Sequence, residues 1–490
     1  MRCATTPSWA RRELPDPWID ADETLRSIRP IHSGDRIRTP GMTNRQRSAP
    51  PAHVAVVGSG VAGLPAAHVL SGSSRVTLFE ADDRLGGHAH THSVTMPDGS
   101  VVGVDSGFIV HNDRTYPTLL RLFAELGVAT KDTDMSMSVS STVTGLEYAG
   151  ALGFSGLFPT PRNATRGRYL RMLGEVTRFH RVARALLDTP DSDEPLDDFL
   201  DRENFSTYFR EHFMLPLVAA VWSCDAATAS RYPARYLFTF LDHHGMLSVF
   251  GSPTWRTVDG GSNTYVQAVA DSIRRRGGAV QVSAPVRHIS ENSDGTVELA
   301  VSSGTQNFDA VVVATHPHQA LRLLDAPTPQ QRRVLSAIDY APKPAVLHSD
   351  TSLMPRARRA WASWNYQIHG DAAGAIDDSH VAVTYDLTRL MRLNPDHPRM
   401  LVTLGRTDLV DASTVIAEMT YEHPVYTTES VAAQALLPDI DTDSIVFAGA
   451  YHGWGFHEDG AVSGARAAER LGVAWDSTLS RTVDDERESA

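Results

Sequence analysis

The stretch His53-Val-Ala-Val-Val-Gly-Ser-Gly-Val-Ala-Gly63 decides the fold of this chain. Its apolar run at residues 54–57 predicts a strand that is buried on both faces, as in a parallel sheet. Small and apolar residues at 62–70 predict a helix that packs closely on that strand. A second apolar run at residues 75–79 predicts the neighbouring strand, which ends at Glu80. Strand, glycine-rich turn, helix and strand therefore follow one another as in a βαβ unit.

The three glycines after the first strand have the spacing Gly-x-Gly-x-x-Gly, which is typical of a dinucleotide-binding turn. Gly58 permits the tight turn, Gly60 allows a pyrophosphate to approach the backbone, and Gly63 allows the helix to lie close to the strand. The helix N-terminus supplies free N–H groups to the phosphates, and Glu80 is placed to accept hydrogen bonds from a ribose. A glycine-rich turn in an unrelated α/β protein is the alternative. The predicted contacts are Gly58, Gly60, Val61, Ala62, Gly63 and Glu80.

The residues after the second strand indicate which dinucleotide binds. Glu80-Ala-Asp-Asp-Arg-Leu-Gly-Gly87 resembles the Glu-x-x-x-Arg-x-Gly-Gly signature of the flavin amine oxidase superfamily, which also contains phytoene desaturases and protoporphyrinogen oxidases. The resemblance implies FAD rather than NAD, with Arg84 beside the FAD phosphates. It also implies that Gly86 and Gly87 pass close to the ribityl chain and the flavin. His88, a further predicted contact, stands where the superfamily usually has a basic residue.

A second segment near the C-terminus resembles the other FAD motif of this superfamily. A strand ends in Ala448-Gly449, and a loop then leads to a helix that begins near Val462. The resemblance implies that this helix N-terminus lies near the flavin edge where negative charge accumulates on reduction. Ala450 replaces the usual acid after Ala-Gly, and we predict that Asp459 takes part of that role. The further contacts that the resemblance implies are Val286, through its backbone to the adenine, Gly449, Gly460 and Ala461.

The resemblance also implies the fold class, which is α/β with a Rossmann-type FAD-binding domain of the glutathione-reductase/amine-oxidase type, interleaved with an α+β substrate domain. Helical patterns from about 136 to 255 and alternating patterns from 326 to 425 favour this division. Residues 1–50 are rich in Arg, Asp, Pro and Ser and are predicted to be disordered, with an Arg-rich targeting arm as the alternative. The predicted units are an N-terminal extension at 1–50, an FAD-binding domain at 52–135, 256–325 and 426–475, a substrate-binding domain at 136–255 and 326–425, and a polar tail at 476–490.

The amino-acid composition indicates which classes of partner the protein binds and in which compartment it lies. The net charge of −13 argues against a general nucleic-acid binder. Cys3 and Cys224 cannot build a disulfide framework, which favours a reducing compartment, and no apolar run reaches the roughly 18–20 residues of a membrane span. We therefore predict a cytoplasmic protein with a small-molecule or lipid substrate, leaving peripheral membrane contact open. No metal site is predicted, because the pair His88 and His90 has no cysteine partner.

The residues that move protons are predicted less directly than the FAD contacts. A flavin accepts a hydride while the protein positions the donor carbon near its N5 atom. Flavin amine oxidases use a lysine near N5, and Lys343 lies in about the right region, although a solvated loop lysine is the alternative. His348 and His457 are candidates for proton transfer, and a packing or hydrogen-bonding role is the alternative for each.

The chain resembles more narrowly a bacterial branch of predicted NAD/FAD-binding oxidoreductases. Members of that branch often accompany cyclopropane-fatty-acid-synthase-like methyltransferases, which implies such an enzyme as a partner and lipid acyl chains as substrate. Three hypotheses follow: an FAD oxidoreductase acting on an apolar lipid or isoprenoid, an FAD amine oxidase, and a flavin-bearing non-catalytic partner of a lipid-modifying complex. The segments that carry the resemblance are Asp105-Ser-Gly-Phe-Ile-Val, Trp255-Arg-Thr-Val-Asp-Gly-Gly-Ser, Val346-Leu-His-Ser-Asp, Trp364-Asn-Tyr and Gly449-Ala-Tyr-His-Gly-Trp-Gly-Phe-His-Glu-Asp-Gly.

Overall fold

Strands and helices alternate at both ends of the chain, whereas its second quarter is mostly helical. The computed structural model describes residues 49–189, 194–248, 252–370, 375–377 and 382–475. In chain order the strands are β1 (His53–Val57), β2 (Arg75–Phe79), β3 (Thr91–Thr95), β4 (Val101–Asp105), β5 (His111–Asn112), β6 (Thr130–Asp132), β7 (Met137–Ser141), β8 (Glu147–Ala149), β9 (Trp255–Val258), β10 (Ala279–Gln281), β11 (Val286–Glu291), β12 (Val297–Val301), β13 (Gly304–Phe308), β14 (Ala310–Val313), β15 (Tyr340–His348), β16 (Trp364–Gly370), β17 (Ile376–Asp377), β18 (Val383–Asp386), β19 (Leu401–Leu404), β20 (Val415–Pro424) and β21 (Ile445–Phe447). The helices are α1 (Gly63–Leu70), α2 (Pro117–Leu126), α3 (Gly153–Leu157), α4 (Gly167–Leu187), α5 (Leu196–Arg202), α6 (Thr207–Phe209), α7 (Leu215–Trp222), α8 (Ala226–Ser230), α9 (Ala234–His243), α10 (Asn263–Arg275), α11 (Pro317–Leu323), α12 (Pro329–Ser336), α13 (Leu387–Leu390), α14 (Thr428–Gln434) and α15 (His457–Arg470).

The first predicted strand is the middle strand of a parallel sheet with the order β10-β2-β1-β14-β21. Val54 pairs with Val76 of β2 on one side and with Ala310 of β14 on the other. The chain continues from β1 through α1 to β2, while β14 lies on the opposite side of β1. The glycine turn therefore stands at the point where the strand order reverses, which is where open α/β sheets bind ligands.

Alternate residues of β1 face two different apolar layers. Val54 and Val56 belong to the apolar cluster formed with helices α1, α10 and α15. Ala55 and Val57 belong to the cluster formed with the antiparallel sheet β11-β12-β13 and helices α11 and α12. Because both faces of β1 are covered, the run at residues 54–57 is apolar throughout rather than alternating.

A second sheet lies apart from the parallel one and combines two distant parts of the chain. Its order is β20-β15-β19-β18-β16-β7-β8, with β17 beside β16. The β16–β7 pair is parallel, whereas the neighbouring pairs in this sheet are antiparallel. Strands β15 to β20 come from residues 326–425, where the alternating sequence pattern predicts an antiparallel sheet. The hairpin β7–β8 comes from the other predicted segment of the substrate domain, residues 136–255.

Helices α4 to α9 pack with this second sheet in one large apolar cluster. The longest helix in the segment with predicted helical patterns is α4, which buries one face through residues such as Tyr169, Met172 and Phe179. Within the described ranges, no helix combines the length and the hydropathy needed to cross a bilayer. The predicted tail at 476–490, and the predicted N-terminal extension except residues 49–50, lie outside the described residues. The other domain boundaries remain a proposal, which the separate apolar clusters support.

Candidate functional site

A cavity of about 720 Å³ lies at the carboxyl ends of β1, β2 and β14. Its volume is within the range of pockets that hold small molecules and cofactors. The predicted FAD contacts that line it are Gly58, Gly60, Val61, Ala62, Glu80, Arg84, Gly87, His88, Val286 and Gly449. These residues are far apart in the sequence, and the fold brings them to one cavity.

The three glycines of the first motif meet different surroundings. A Cβ atom on Gly58 would lie 2.6 Å from the carbonyl oxygen of Ala314, and one on Gly63 would lie 1.9 Å from that of Gly58. Gly58 also has a φ of +99°, a conformation that side chains disfavour. A Cβ atom on Gly60, by contrast, would meet no protein atom within 4 Å and would enter the cavity. Gly58 and Gly63 therefore shape the turn, while Gly60 leaves space for a ligand.

Glu80 joins the end of β2 to the glycine turn. One of its carboxylate oxygens accepts hydrogen bonds from the backbone N–H of Ser59 at 2.9 Å and from the Ser59 hydroxyl at 2.5 Å. The other accepts one from the N–H of Asp82 at 3.0 Å. These bonds hold the carboxylate at the cavity wall, where oxygen lone pairs remain for ribose hydroxyls.

The second glycine pair packs against the first motif. The N–H of Gly86 donates to the Ser59 hydroxyl at 3.1 Å, and a Cβ atom on Gly87 would lie 3.2 Å from the Cα atom of Gly60. Arg84 donates to the carbonyl oxygen of Gly87 at 2.9 Å and lines the cavity. The two loops therefore form one wall, and a guanidinium at that wall suits a phosphate.

The N-terminal end of α15 lies behind the same wall. A Cβ atom on Gly460 would lie 2.4 Å from the side chain of Val61, and Ala461 is fully buried. Asp459 does not line the cavity; its carboxylate accepts the N–H of Phe456 at 2.9 Å. Burial raises the pKa of Asp459 to about 7, although backbone N–H groups of the preceding loop oppose the shift. Gly63, Gly86, Gly460, Ala461 and Asp459 thus support the cavity from behind, without facing it.

A second cavity of about 670 Å³ lies between the second sheet and the helices that cover it. Its lining comes from β7, α4, α7, α9 and the loop before α15, and most of its side chains are aliphatic or aromatic. Among the described residues that line it, none is Asp, Glu, Lys or Arg. A cavity without charged walls is suited to an uncharged apolar ligand, because a charged ligand would lose its hydration without gaining an ionic partner.

The two cavities share one wall. The residues that line both are His88, Tyr421, His423, Pro424, Gly455 and His457. The Tyr421 hydroxyl lies 2.7 Å from that of Ser106, and its ring meets the ring of His88 edge-on at 4.9 Å. His457 stacks on Phe108, with 3.8 Å between the ring centres. The two cavities therefore adjoin each other at these side chains.

The shared histidines are neutral at physiological pH. Burial lowers the pKa of His457 to about 3 and, with the charges of Lys343 and His316, lowers that of His423 to about 4. Burial likewise holds the pKa of His88 well below its usual range. The rings touch the cavity space but lie deep below the outer surface, so desolvation dominates. The Nδ1 atom of His423 and the Nε2 atom of His457 are buried and have no hydrogen-bond partner among the residues that the structure describes. Such unpartnered atoms fit a site built to contact a bound polar group.

The structure separates the three predicted catalytic residues. His457 lies in the shared wall. Lys343 pairs across the strands with Tyr421, and although it lines neither cavity its charge acts on His423. His348 is not brought to the site: its ring lies 2.8 Å from the Thr403 hydroxyl and accepts the N–H of Asp350 at 3.0 Å. Both nitrogens of His348 are occupied outside the two cavities, and we withdraw it as a candidate.

One cluster with metal-ligand chemistry was not predicted from the sequence. The ligand atoms of His316, His318 and Glu422 lie within 4.8 Å of one another at the edge of the first cavity. The Nδ1 atom of His316 lies 2.6 Å from a Glu422 oxygen. These groups meet because the start of α11 and strand β20, which are far apart in the sequence, come together here. The absence of a metal site stays a prediction.

A Rossmann-type sheet with a glycine-rich turn and an acid after its second strand defines a dinucleotide-binding fold. The adjoining apolar cavity adds a second binding site to it. The chain is 28% identical over 383 residues to phytoene dehydrogenase of Streptomyces griseus, covering 72% of this chain and 68% of that protein. It is 28% identical over 300 residues to carotenoid phi-ring synthase of Streptomyces griseus, covering 56% of this chain and 54% of that protein. The match thus spans about half the length of the second relative.

The fold is also found in a solved structure of low sequence similarity. Cyclohexylamine oxidase from Brevibacterium oxydans IH-35A superposes with a TM-score of 0.61 at 16% identity, over 86% of this chain and 99% of that one. The family model for flavin containing amine oxidoreductases matches residues 61–347, and the chain belongs to this family. Membership of this family confirms FAD as the cofactor, and the shared fold confirms the α/β fold class.

Proposed function

We propose that this protein oxidises an uncharged, apolar substrate, such as a lipid acyl chain or an isoprenoid, by transfer of a hydride to FAD. The observation that carries the proposal is the second cavity, whose described lining holds no Asp, Glu, Lys or Arg. Aromatic and aliphatic side chains such as Phe213, Leu217 and Trp222 stabilise an apolar chain by removing it from water. FAD, when bound, supplies the hydride acceptor, and the protein supplies binding and orientation.

The lining of the shared wall also argues against a charged substrate. An amino acid or a primary ammonium substrate needs an opposite charge when it loses water, and the shared wall offers only neutral His88, His423 and His457. Two relatives are named for phytoene and for a carotenoid ring. We carry that class of apolar substrate to this chain. Amine oxidation is the alternative, and the experiment below separates the two.

We propose that the residues lining the first cavity hold FAD. Gly60, Val61 and Ala62 would contact the pyrophosphate, with Arg84 beside it, and Glu80 would accept from the ribose. The larger set of predicted contacts consists of Gly58, Gly63, Gly86, Gly87, His88, Val286, Gly449, Asp459, Gly460 and Ala461. Among these, the five that do not face the cavity would act through packing or loop position.

His457 and Lys343 remain our candidates for proton transfer. The unpartnered Nε2 atom of His457 is able to accept or donate one hydrogen bond in the shared wall. Lys343 would act on the site through its charge beside His423. A cyclopropane-fatty-acid-synthase-like methyltransferase as partner, and a cytoplasmic location, are likewise proposals that rest on the resemblance and on composition.

Anaerobic reduction of the FAD-loaded protein tests the proposed substrate class. Separate samples would receive fatty acyl esters, isoprenoid hydrocarbons and a set of primary and secondary amines, and the visible absorbance of the flavin would be followed. We expect bleaching by one or more of the apolar compounds. Bleaching by amines alone would establish the alternative, whereas no bleaching across the panel would favour a non-catalytic flavin protein.

Filling the second cavity should slow substrate oxidation without loss of FAD. Val176 lies on α4 and lines the cavity, and Val176→Trp places a large ring there. Overpacking costs about 1–3 kcal/mol, so we expect the rate of flavin bleaching at limiting substrate to fall about 10- to 100-fold. Leu170→Trp is the matched control, because Leu170 lies on the same helix, is 43% exposed and does not line the cavity. An equal loss in both variants would argue against this cavity as the substrate site.

A further inference from the structure

The mouth of the second cavity lies beside an exposed aromatic side chain. Gly150 and Ala151 are exposed and also line the cavity, so the cavity reaches the outer surface at this point. The next helix, α3, carries Phe154, which is 80% exposed. Phe154 contacts Phe158 at a ring distance of 4.8 Å, and Phe158 meets Tyr169 at the start of α4. A large apolar side chain therefore projects into solvent where an apolar cavity opens.

Arginine surrounds this aromatic side chain. Residues 151–187 contain seven arginines and one acid, Glu175, in a chain whose net charge is −13. Glu175 is mostly buried and bonds to Ser206, although it also lies 3.6 Å from Arg171. α3 packs against the turn Arg358–Ala360, which brings further arginines to the same place. We define the basic surface as the exposed residues Phe154, Arg162, Arg168, Arg171, Arg358 and Arg359.

The arginines of the basic surface are distinct from those that the fold uses. Arg166 donates to the carbonyl oxygens of Thr144 and Gly145, and Arg178 donates to that of Glu203. Among the described residues, by contrast, no carboxylate lies within ion-pair distance of Arg162, Arg168, Arg358 or Arg359. Fixed positive charge without local neutralisation attracts an anionic partner.

We propose that the basic surface docks this protein on a bilayer that contains anionic lipids, with Phe154 inserted at the level of the headgroups. Charge complementarity identifies the partner, since arginines near an anionic leaflet bind it and an exposed aromatic ring partitions into the interface. The cavity mouth at Gly150 and Ala151 then faces the lipid, so an apolar compound enters without crossing water. Docking on the bilayer does not depend on which substrate the protein oxidises. A negative result in the docking experiment would therefore leave the proposed function unaffected.

Vesicle binding by the FAD-loaded protein tests this inference. Flotation with vesicles of phosphatidylglycerol and phosphatidylcholine should recover the protein at low salt, whereas pure phosphatidylcholine should recover far less. Binding should weaken steeply between about 0.1 M and about 1 M salt, over which the screening length falls from about 10 Å to about 3 Å. Failure to bind the anionic vesicles at low salt would overturn the proposal. Binding of a protein or a nucleic acid to the basic surface would not change that outcome.

Two sets of variants locate the contact. The triple variant Arg162→Gln, Arg168→Gln and Arg359→Gln should lower the partition coefficient by about 100-fold, since each charge near an anionic membrane contributes about fivefold. Phe154→Ser should lower it by about tenfold. The matched control changes the net charge equally on α10 and α12, with Arg275→Gln, Arg332→Gln and Arg333→Gln, all of which are exposed.

The comparison between the two triple variants decides the outcome. Strong vesicle binding by the control with weak binding by the basic-surface variant supports docking at this place. Equal losses in the two variants would show attraction by overall charge alone and would overturn the proposal. Unchanged flavin absorbance and thermal unfolding in each variant would show that the fold and the FAD site are intact.

Discussion

Replacing Gly60 by valine is expected to give a folded protein that does not retain FAD. A side chain at this position meets no protein atom within 4 Å at Cβ and extends into the first cavity. Gly60 does not have the left-handed φ of Gly58, +99°, so a side chain at Gly60 avoids the strain that one at Gly58 would suffer. We expect the dissociation constant of FAD to rise about 100-fold or more, about 2.8 kcal/mol, near the upper end of an overpacking cost.

Flavin fluorescence titration of the apoprotein measures this change, and thermal unfolding of the apoprotein reports the fold. Gly60→Ala should give a smaller rise in the dissociation constant, because one methyl group intrudes less. Gly174→Ala is the control: Gly174 lies on α4 with open space around a Cβ atom, and alanine there should stabilise the helix. A yellow Gly60→Val protein with unchanged affinity would mean that FAD does not lie against this turn.

Replacing Asp459 by asparagine should change how stability depends on pH. The pKa of Asp459 is raised by burial to about 7, from an ordinary value of 3.8. Between these values the folded state holds a proton that the unfolded state releases, so rising pH destabilises the wild-type fold until about pH 7. Asparagine does not titrate. Relative to the variant, the wild type should lose up to about 1.4 kcal/mol per pH unit from pH 5 to pH 7 and nothing further above that.

Urea unfolding of both proteins at saturating FAD, at several pH values from 5 to 8, measures this difference. Asp294→Asn is the control, because hydrogen bonds from Thr296 hold the pKa of exposed Asp294 below its ordinary value of 3.8. Its titration lies below the tested range, so its difference from wild type should stay constant. A constant difference for Asp459→Asn as well would show that this carboxyl is ionised in the fold throughout, and that the loop before α15 does not depend on its proton.

The residues around Gly60 were predictable because the interactions that position them involve residues close to one another in the sequence. The turn, the helix and the strand that ends at Glu80 follow within one short stretch, and the apolar run at residues 54–57 indicates a strand with both faces covered. The acid then stands at the spacing that a dinucleotide requires. The second glycine pair belongs to the signature that resembles that of the flavin amine oxidase superfamily. The structure places most of these predicted residues at one cavity.

The shared wall was not predictable in the same way. Tyr421 and His423 lie on β20 in an alternating stretch, and alternation shows that they share a face without showing what that face meets. The pairing of β20 with β15 and the position of the second glycine pair, which His88 follows, bring them beside His88. The cluster of His316, His318 and Glu422 arises from the same long-range pairing.

The error at His348 has a simple geometric cause. Lys343 and His348 belong to one strand but are an odd number of residues apart, so their side chains point to opposite faces of the sheet. Lys343 shares its face with Tyr421, whereas His348 bonds to Thr403, the partner of Val346. His348 therefore lies on the face of the sheet opposite to that of Lys343, away from both cavities.

The sequence by itself determined a Rossmann-type unit that binds a dinucleotide, because a strand, a glycine turn, a helix and an acid follow one another in one short stretch. Its resemblance to the flavin amine oxidase superfamily implied that the dinucleotide is FAD. Only the tertiary structure decided what lies opposite the flavin cavity. The charge-free second cavity and the neutral histidine wall depend on which distant faces pack together. Desolvation sets the charge of those histidines, and the depth of burial that causes it belongs to the folded chain as a whole.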